Sequence, residues 1–172
     1  MQSKSQRFYE VIYEQAYQQG IIMKKMTSML ALFTIAVFFI GYYALRANTP
    51  DKKFAIILQA GKETHEGMAR AVHALLYATE LKEKGYEVVL IFDGAGTEWA
   101  EEFSNPDSQT RLLPMYKAFK KTGAQEIICD FCAGAFGVKE KLKHRQCPIV
   151  SEYQGHPSIE KWIKKGYKLL IL

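Results

Sequence analysis

From residue 53 onward the hydrophobic positions follow two alternating patterns. Short unbroken apolar runs, "KFAIILQ" (53–59), "YEVVLIFD" (86–93), "QEIIC" (125–129), "CPIVSEY" (147–153) and "YKLLIL" (167–172), have the length of strands. Between the first two, "ETHEGMARAVHALLYATELKEKG" (63–85) repeats apolar residues at helical spacing: Met68, Val72, Leu75, Leu76 and Leu81, with Gly85 as the stop. A Gly-rich turn then leads into a short helix in "GAGTEWAEEF" (94–103), with Thr97 as its N-cap. Further helices are predicted from Pro114 to Gly123, over "AGAFGVKEKLKHR" (133–145) and within "HPSIEKWIKKG" (156–166).

Strands that are apolar at every position, rather than at every second one, are buried on both faces. About five of them alternating with helices predict an α/β layered fold around a mostly parallel sheet. In such sheets reactive groups gather beyond the C-terminal ends of the strands. The loops expected there are "AGKETHEG" (60–67), "DGAGTEW" (93–99), "CDFCAG" (129–134) and "YQGHPS" (153–158).

The first 50 residues read differently. Residues 26–45, "MTSMLALFTIAVFFIGYYAL", are uncharged and about long enough to cross a bilayer as one helix. Lys24 and Lys25 lie on one side, Tyr42, Tyr43 and Arg46 on the other, as membrane interfaces favour. Read from Met23, the same stretch resembles an export signal, although its apolar run is longer than a usual signal core. Residues 1–25 carry a weak amphipathic stripe, Phe8, Val11, Ile12 and Tyr17, suited to a membrane surface. Residues 46–53 form a polar linker. The expectation is a single-pass membrane protein, with the Lys24–Lys25 pair favouring an extracytoplasmic domain.

Charge excludes one class of partner. The formal net charge of the 172 residues is +5. Residues 1–50 hold five basic and two acidic side chains, which leaves eighteen and sixteen of the total 23 and 18 for residues 51–172. That part is nearly balanced, and its lysines fall at helix ends, where they complement the helix dipole, rather than in a basic stripe. No nucleic acid is expected as a partner.

The chemistry-bearing residues centre on Cys129 and Cys132. A run of Cys129, Cys132, His144 and Cys147 has the look of zinc-ligand spacing. One helix over residues 133–144, however, would part Cys132 from His144 by roughly 18 Å. No metal is expected. A thiol at a strand end before a helix meets backbone N–H groups and the positive end of a helix dipole, which favour the thiolate. Asp130 acts in the opposite sense. Buried structural thiols and a reactive pair remain equal alternatives, and Cys147 reads as a packed apolar thiol. His156 and His65 lie on the same predicted edge. His156 could polarise a substrate or hold Cys129 as thiolate, but it also fits a residue leading into the helix that Pro157 begins. The glycines of "DGAGTEW" lack the spacing and lysine of a phosphate loop, so no nucleotide cofactor is expected.

Four segments, "GKETHEGMARAVHALLYATELKEKGYEVVLIFDGAG", "KKTGAQEIIC", "CDFCAGAFGV" and "SEYQGHPSIEKWIKKGYKLLIL", occur in an order and spacing that resemble the DsrE/DsrF-like family, also called YchN-like, which includes TusD-related sulfur-relay subunits. The resemblance covers residues 54–172. It implies a Rossmann-like three-layer α/β/α subunit, association into trimers or hexamers, and a cysteine that carries persulfide sulfur between donor and acceptor proteins. That cysteine stands eight positions before a Gly-Val or Gly-Ile pair, which transfers the role to Cys129, with Gly137-Val138 following. Cys132 matches the second cysteine of some members and would be the resolving thiol. The resemblance thus implies a sulfur carrier; it does not extend to residues 1–50, and the relay proteins of the family are soluble, so the membrane tether is expected from residues 26–45 alone. A non-catalytic oligomeric binding module and a thiol–disulfide redox protein are the alternatives.

Overall fold

A computed structural model describes residues 17, 19, 23, 34–38, 40–42 and 52–172. The chain divides into two compact units, Met1–Pro50 and Asp51–Leu172. In the first, residues 34–38 and 40–42 are helical and exposed. Among the described residues no helix is long and apolar enough to cross a membrane. Most of the apolar stretch 26–45, with residues 46–51 and most of 1–25, lies outside them.

The second unit runs β1 (Lys53–Leu58), α1 (His65–Glu83), β2 (Glu87–Phe92), α2 (Thr97–Ser104), α3 (Leu113–Lys121), β3 (Gln125–Cys129), α4 (Asp130–Ala135), α5 (Lys139–His144), β4 (Ile149–Val150), α6 (Ile159–Lys164) and β5 (Lys168–Ile171). The five strands form one parallel sheet in the order β4-β3-β2-β1-β5. Residues 55–58, 88–92 and 127–129 are buried in the three inner strands, while the edge strands β4 and β5 are only partly covered. The unbroken apolar runs have this cause.

Topology explains the uneven layers. From β1 to β4 the chain steps across the sheet in one direction, so right-handed crossovers place α1 to α5 on one face. There Ile56, Leu58, Leu90, Phe92 and Ile128 pack with Leu75, Phe103, Phe119 and Leu142 in the larger core. The return from β4 to β5 reverses direction, and α6 covers the other face. Its smaller core joins Ala55, Ile57, Val89, Ile91 and Ile127 to Trp162 and Tyr167. The result is a Rossmann-like three-layer arrangement with one thin outer layer.

Two local expectations are corrected. The helix expected over 133–145 is two short helices: α4 starts earlier, with Cys129 as its N-cap, and Gly137 at φ +69° breaks the chain before α5. Thr97 is the first residue of α2 rather than its cap. Its hydroxyl donates to the Gly94 carbonyl at 2.9 Å within a 3₁₀ turn, Gly94–Gly96.

Candidate functional site

The parallel strands deliver three loops to one edge. Asp93 directly follows β2, β3 ends in Cys129, Cys132 lies in α4, and His156 arrives from the loop between β4 and α6. Donor atoms of Asp93, Cys129, Cys132 and His156 all lie within 4.8 Å of one another.

Each side chain is held by local structure. The 3₁₀ turn after Asp93 presses on β1 so closely that a Cβ at Gly96 would stand 2.0 Å from the Leu58 carbonyl oxygen, a contact only glycine permits. Asp93 N–H donates to that same carbonyl at 2.9 Å, and Gln59 Nε2 donates to Asp93 Oδ2 at 2.9 Å. Oδ1 is left facing the thiols. His156 is placed by a tight reversal, in which Gln154 (φ 49°) and Gly155 (φ 89°) both occupy left-handed conformations. Tyr153 and His156 exchange backbone hydrogen bonds of 2.8 and 2.9 Å across it, the pattern of a two-residue hairpin with a primed turn. The Gly155 carbonyl accepts from Phe131 N–H at 2.9 Å, tying the hairpin to α4, and the Phe131 ring packs 4.7 Å from the imidazole.

Two pairs result. Cys129 Sγ lies 3.2 Å from His156 Nδ1 and accepts the Cys132 N–H at 3.4 Å. Cys132 Sγ donates to Asp93 Oδ1 at 3.2 Å and lies 3.8 Å from His156 Nδ1. Cys129 is completely buried and Cys132 nearly so, so the thiols are not on the accessible loop that the sequence suggests. The expected thiolate-favouring environment is outweighed as well. Burial pushes the Cys129 thiol far above the ordinary cysteine value; the Cys132 N–H opposes the rise, and hydrogen bonding to Cys132 and Asp93 adds to it. Burial raises Cys132 too, opposed by Cys129 and reinforced by the Asp93 carboxylate. For Asp93, burial works upward, but hydrogen bonds from Gln59, Cys132, Cys129 and the Gly94 backbone prevail and hold it below its usual value. These shifts favour the neutral form of both thiols and the ionised form of Asp93.

A cavity of about 640 Å³ opens beside the cluster, on the thinly covered face of the sheet. Ile57, Ile91, Asp93, Tyr153, His156 and Pro157 are among the residues that line it.

The structure therefore brings Cys129, Cys132 and His156 together. His65 is exposed at the first position of α1 and is not one of the cluster. His156 is not the residue leading into α6, since Ser158 caps that helix through its side chain. His144 closes α5 and Cys147 packs against the larger core, so neither joins the thiol pair. Asp130 pairs with Lys139 at 2.8 Å. Sequence reasoning missed Asp93 and Gln59. Both stand directly after strands β2 and β1, so their position at the C-terminal edge was the available signal.

The model of the DsrE/DsrF-like family matches residues 52–172. The chain belongs to this family. An uncharacterized protein of Methanocaldococcus jannaschii, MJ0733, is 34% identical over 101 residues, 59% of this chain and 78% of that protein. Among solved structures, a conserved protein of unknown function from Bacteroides thetaiotaomicron, BT1422, matches with a TM-score of 0.49 and 19% identity, over 70% of this chain and 95% of the other. The DsrE/DsrF-like family is linked to sulfur relay, and this chain has a close pair of free cysteines, Cys129 and Cys132.

Proposed function

We propose that the protein is a sulfur carrier in which Cys129 accepts sulfane sulfur as a persulfide. The observation that carries the reading is the Cys129–His156 contact of 3.2 Å in a chain of this family. A buried thiol with a raised pKa is a weak nucleophile unless a base takes its proton at the moment of attack, and a cysteine within reach of an imidazole is the usual solution. His156 Nδ1 receives the Cys129 proton, and Sγ attacks the outer sulfur of a donor persulfide. The donor S–S bond breaks as the new bond to Sγ forms. The donor leaves as a thiolate and takes a proton, so a thiol and a persulfide exchange one sulfur with no net oxidation. An acceptor thiolate reverses the step. The Cys132 N–H, pointing at Sγ, stabilises the charge that develops there.

Incubation with a persulfide donor tests this by intact mass. The gain is about 32 Da, one sulfur atom, reversed by reductant and absent in Cys129→Ser. The thiol–disulfide alternative, favoured by the closeness of the two sulfurs, would instead show a loss of about 2 Da on oxidation with no stable sulfur adduct.

Tethering belongs to the same reading: the uncharged stretch 26–45 would anchor the carrier to a membrane. Recovery of the full chain in the membrane fraction after alkaline carbonate washing supports it, and recovery in the supernatant overturns it. Self-association is also part of it. Ile163 on α6 and Ile171 on β5 are 57% and 59% exposed on the thinly layered face, as a face covered by another subunit would be. Light scattering of the full chain in detergent reads the subunit number directly, and a monomer removes this part of the reading.

A further inference from the structure

We infer that Asp93, Cys129, Cys132 and His156 form a four-ligand site for one zinc ion. The inference does not rest on sulfur carriage; it rests on the donor set and its geometry. Two sulfurs, one imidazole nitrogen and one carboxylate oxygen suit a borderline-soft ion that prefers four ligands. With zinc–sulfur bonds of about 2.3 Å and zinc–nitrogen or –oxygen bonds of about 2.0–2.1 Å, a tetrahedron has edges of roughly 3.3–3.8 Å. The contacts of Cys129 with His156, Cys132 with Asp93 and Cys132 with His156 measure 3.2, 3.2 and 3.8 Å, and no pair in the set exceeds 4.8 Å. Binding needs shifts of a few tenths of an ångström to about one, without refolding.

Three further features fit. Gln59 holds Asp93 Oδ2, so the carboxylate presents Oδ1 to the centre, the outer support that metal-binding carboxylates need. The hairpin at Gln154 and Gly155, together with Phe131, fixes the plane of the imidazole. Asp93 and His156, two of the four ligands, also line the cavity, which puts the site beside open space.

The step balances simply. Zn²⁺ meets two thiols, one neutral imidazole and one carboxylate; the thiols release two protons to solvent, four coordinate bonds form, and no electrons move. The bound site has a net charge of −1. Zinc and persulfide would compete for the same sulfurs, so the ion would hold both thiols protected and reduced until it is displaced.

The test uses the full chain, reduced and stripped of metal, titrated with Zn²⁺ against a chromophoric chelator. One ion per chain is expected. Cys132→Ser and Asp93→Asn each weaken binding at least as much as Gln59→Ala, for which roughly 10–100-fold is expected. Cys147→Ser and His144→Asn leave it unchanged. Because a ligand variant could misfold, the unaltered protein is also loaded with Co²⁺, where thiolate-to-cobalt charge-transfer bands and tetrahedral d–d bands are expected. Substoichiometric zinc in the unaltered protein, absence of those bands, or binding lost on Cys147→Ser but kept in Asp93→Asn would each overturn the site. Persulfide formation is measured separately in metal-free buffer, so failure of zinc binding leaves sulfur carriage standing, and the reverse.

Discussion

Cys129 and His156, 27 positions apart, meet at 3.2 Å because one ends an inner strand and the other sits at the mouth of a tight hairpin stitched to α4. The hairpin lies in irregular structure between β4 and α6. Perturbing it separates the base from the thiol while the sheet stays intact.

Gly155→Ala is the direct perturbation. Alanine at φ +89° costs about 1–2 kcal/mol, and its Cβ would lie 3.1 Å from Phe131 Cβ. A modestly lowered unfolding midpoint and slower persulfide formation are expected. Unchanged persulfide kinetics at lowered stability would show that the position of His156 does not govern the chemistry.

Thiol reactivity follows from burial and the raised pKa values. In the native protein at pH 8, Cys129 and Cys132 should alkylate far more slowly than an unfolded-chain cysteine, and all three thiols should react at similar rates in denaturant. Timed iodoacetamide labelling with peptide mapping reads this. Rapid native labelling of Cys129 would mean that the thiol is open to solvent.

Acid stability has a definite sign. Glu102 is held below its ordinary value by hydrogen bonds from Ser108 and Lys62, Glu87 by Tyr167 and Lys53, and Glu152 by Lys161 and the Ser158 backbone; burial opposes the shift in each. A carboxylate that binds its proton less tightly when folded adds stability that is fully present above its unfolded pKa, near 4.5, and lost as pH falls through the folded value. Unfolding midpoints measured from pH 7 to 3 should hold and then decline below about 4.5. Glu102→Gln should lower the plateau and flatten the decline. An equal slope in the variant would assign the pH dependence to other groups.

Much of this architecture was legible beforehand. Every predicted strand is present, since inner strands buried on both faces leave unbroken apolar runs, and Gly85 and Gly123 stop their helices with φ of +84° and +69°. The helix expected over 133–145 runs through Gly137, whose φ of +69° ends one helical turn and starts another; two short helices separated by a single glycine look like one continuous segment in sequence. Cys129 and Cys132 stood out by spacing. Asp93 did not, because its part in the site depends on the adjacency of β2 and β3, which is a property of strand order. His156 and His65 looked equivalent from sequence. Only the hairpin, set by Gln154 and Gly155, distinguishes them.

The most direct test of the account is to locate the transferred sulfur. The metal-free protein is incubated with an isotopically labelled persulfide donor, trapped with an alkylating reagent, digested and sequenced by mass spectrometry. Labelled sulfur on Cys129, formed more slowly in His156→Asn, is the predicted result. Label found on Cys132 or Cys147 alone, or no label in folded protein with active donor present, would contradict it.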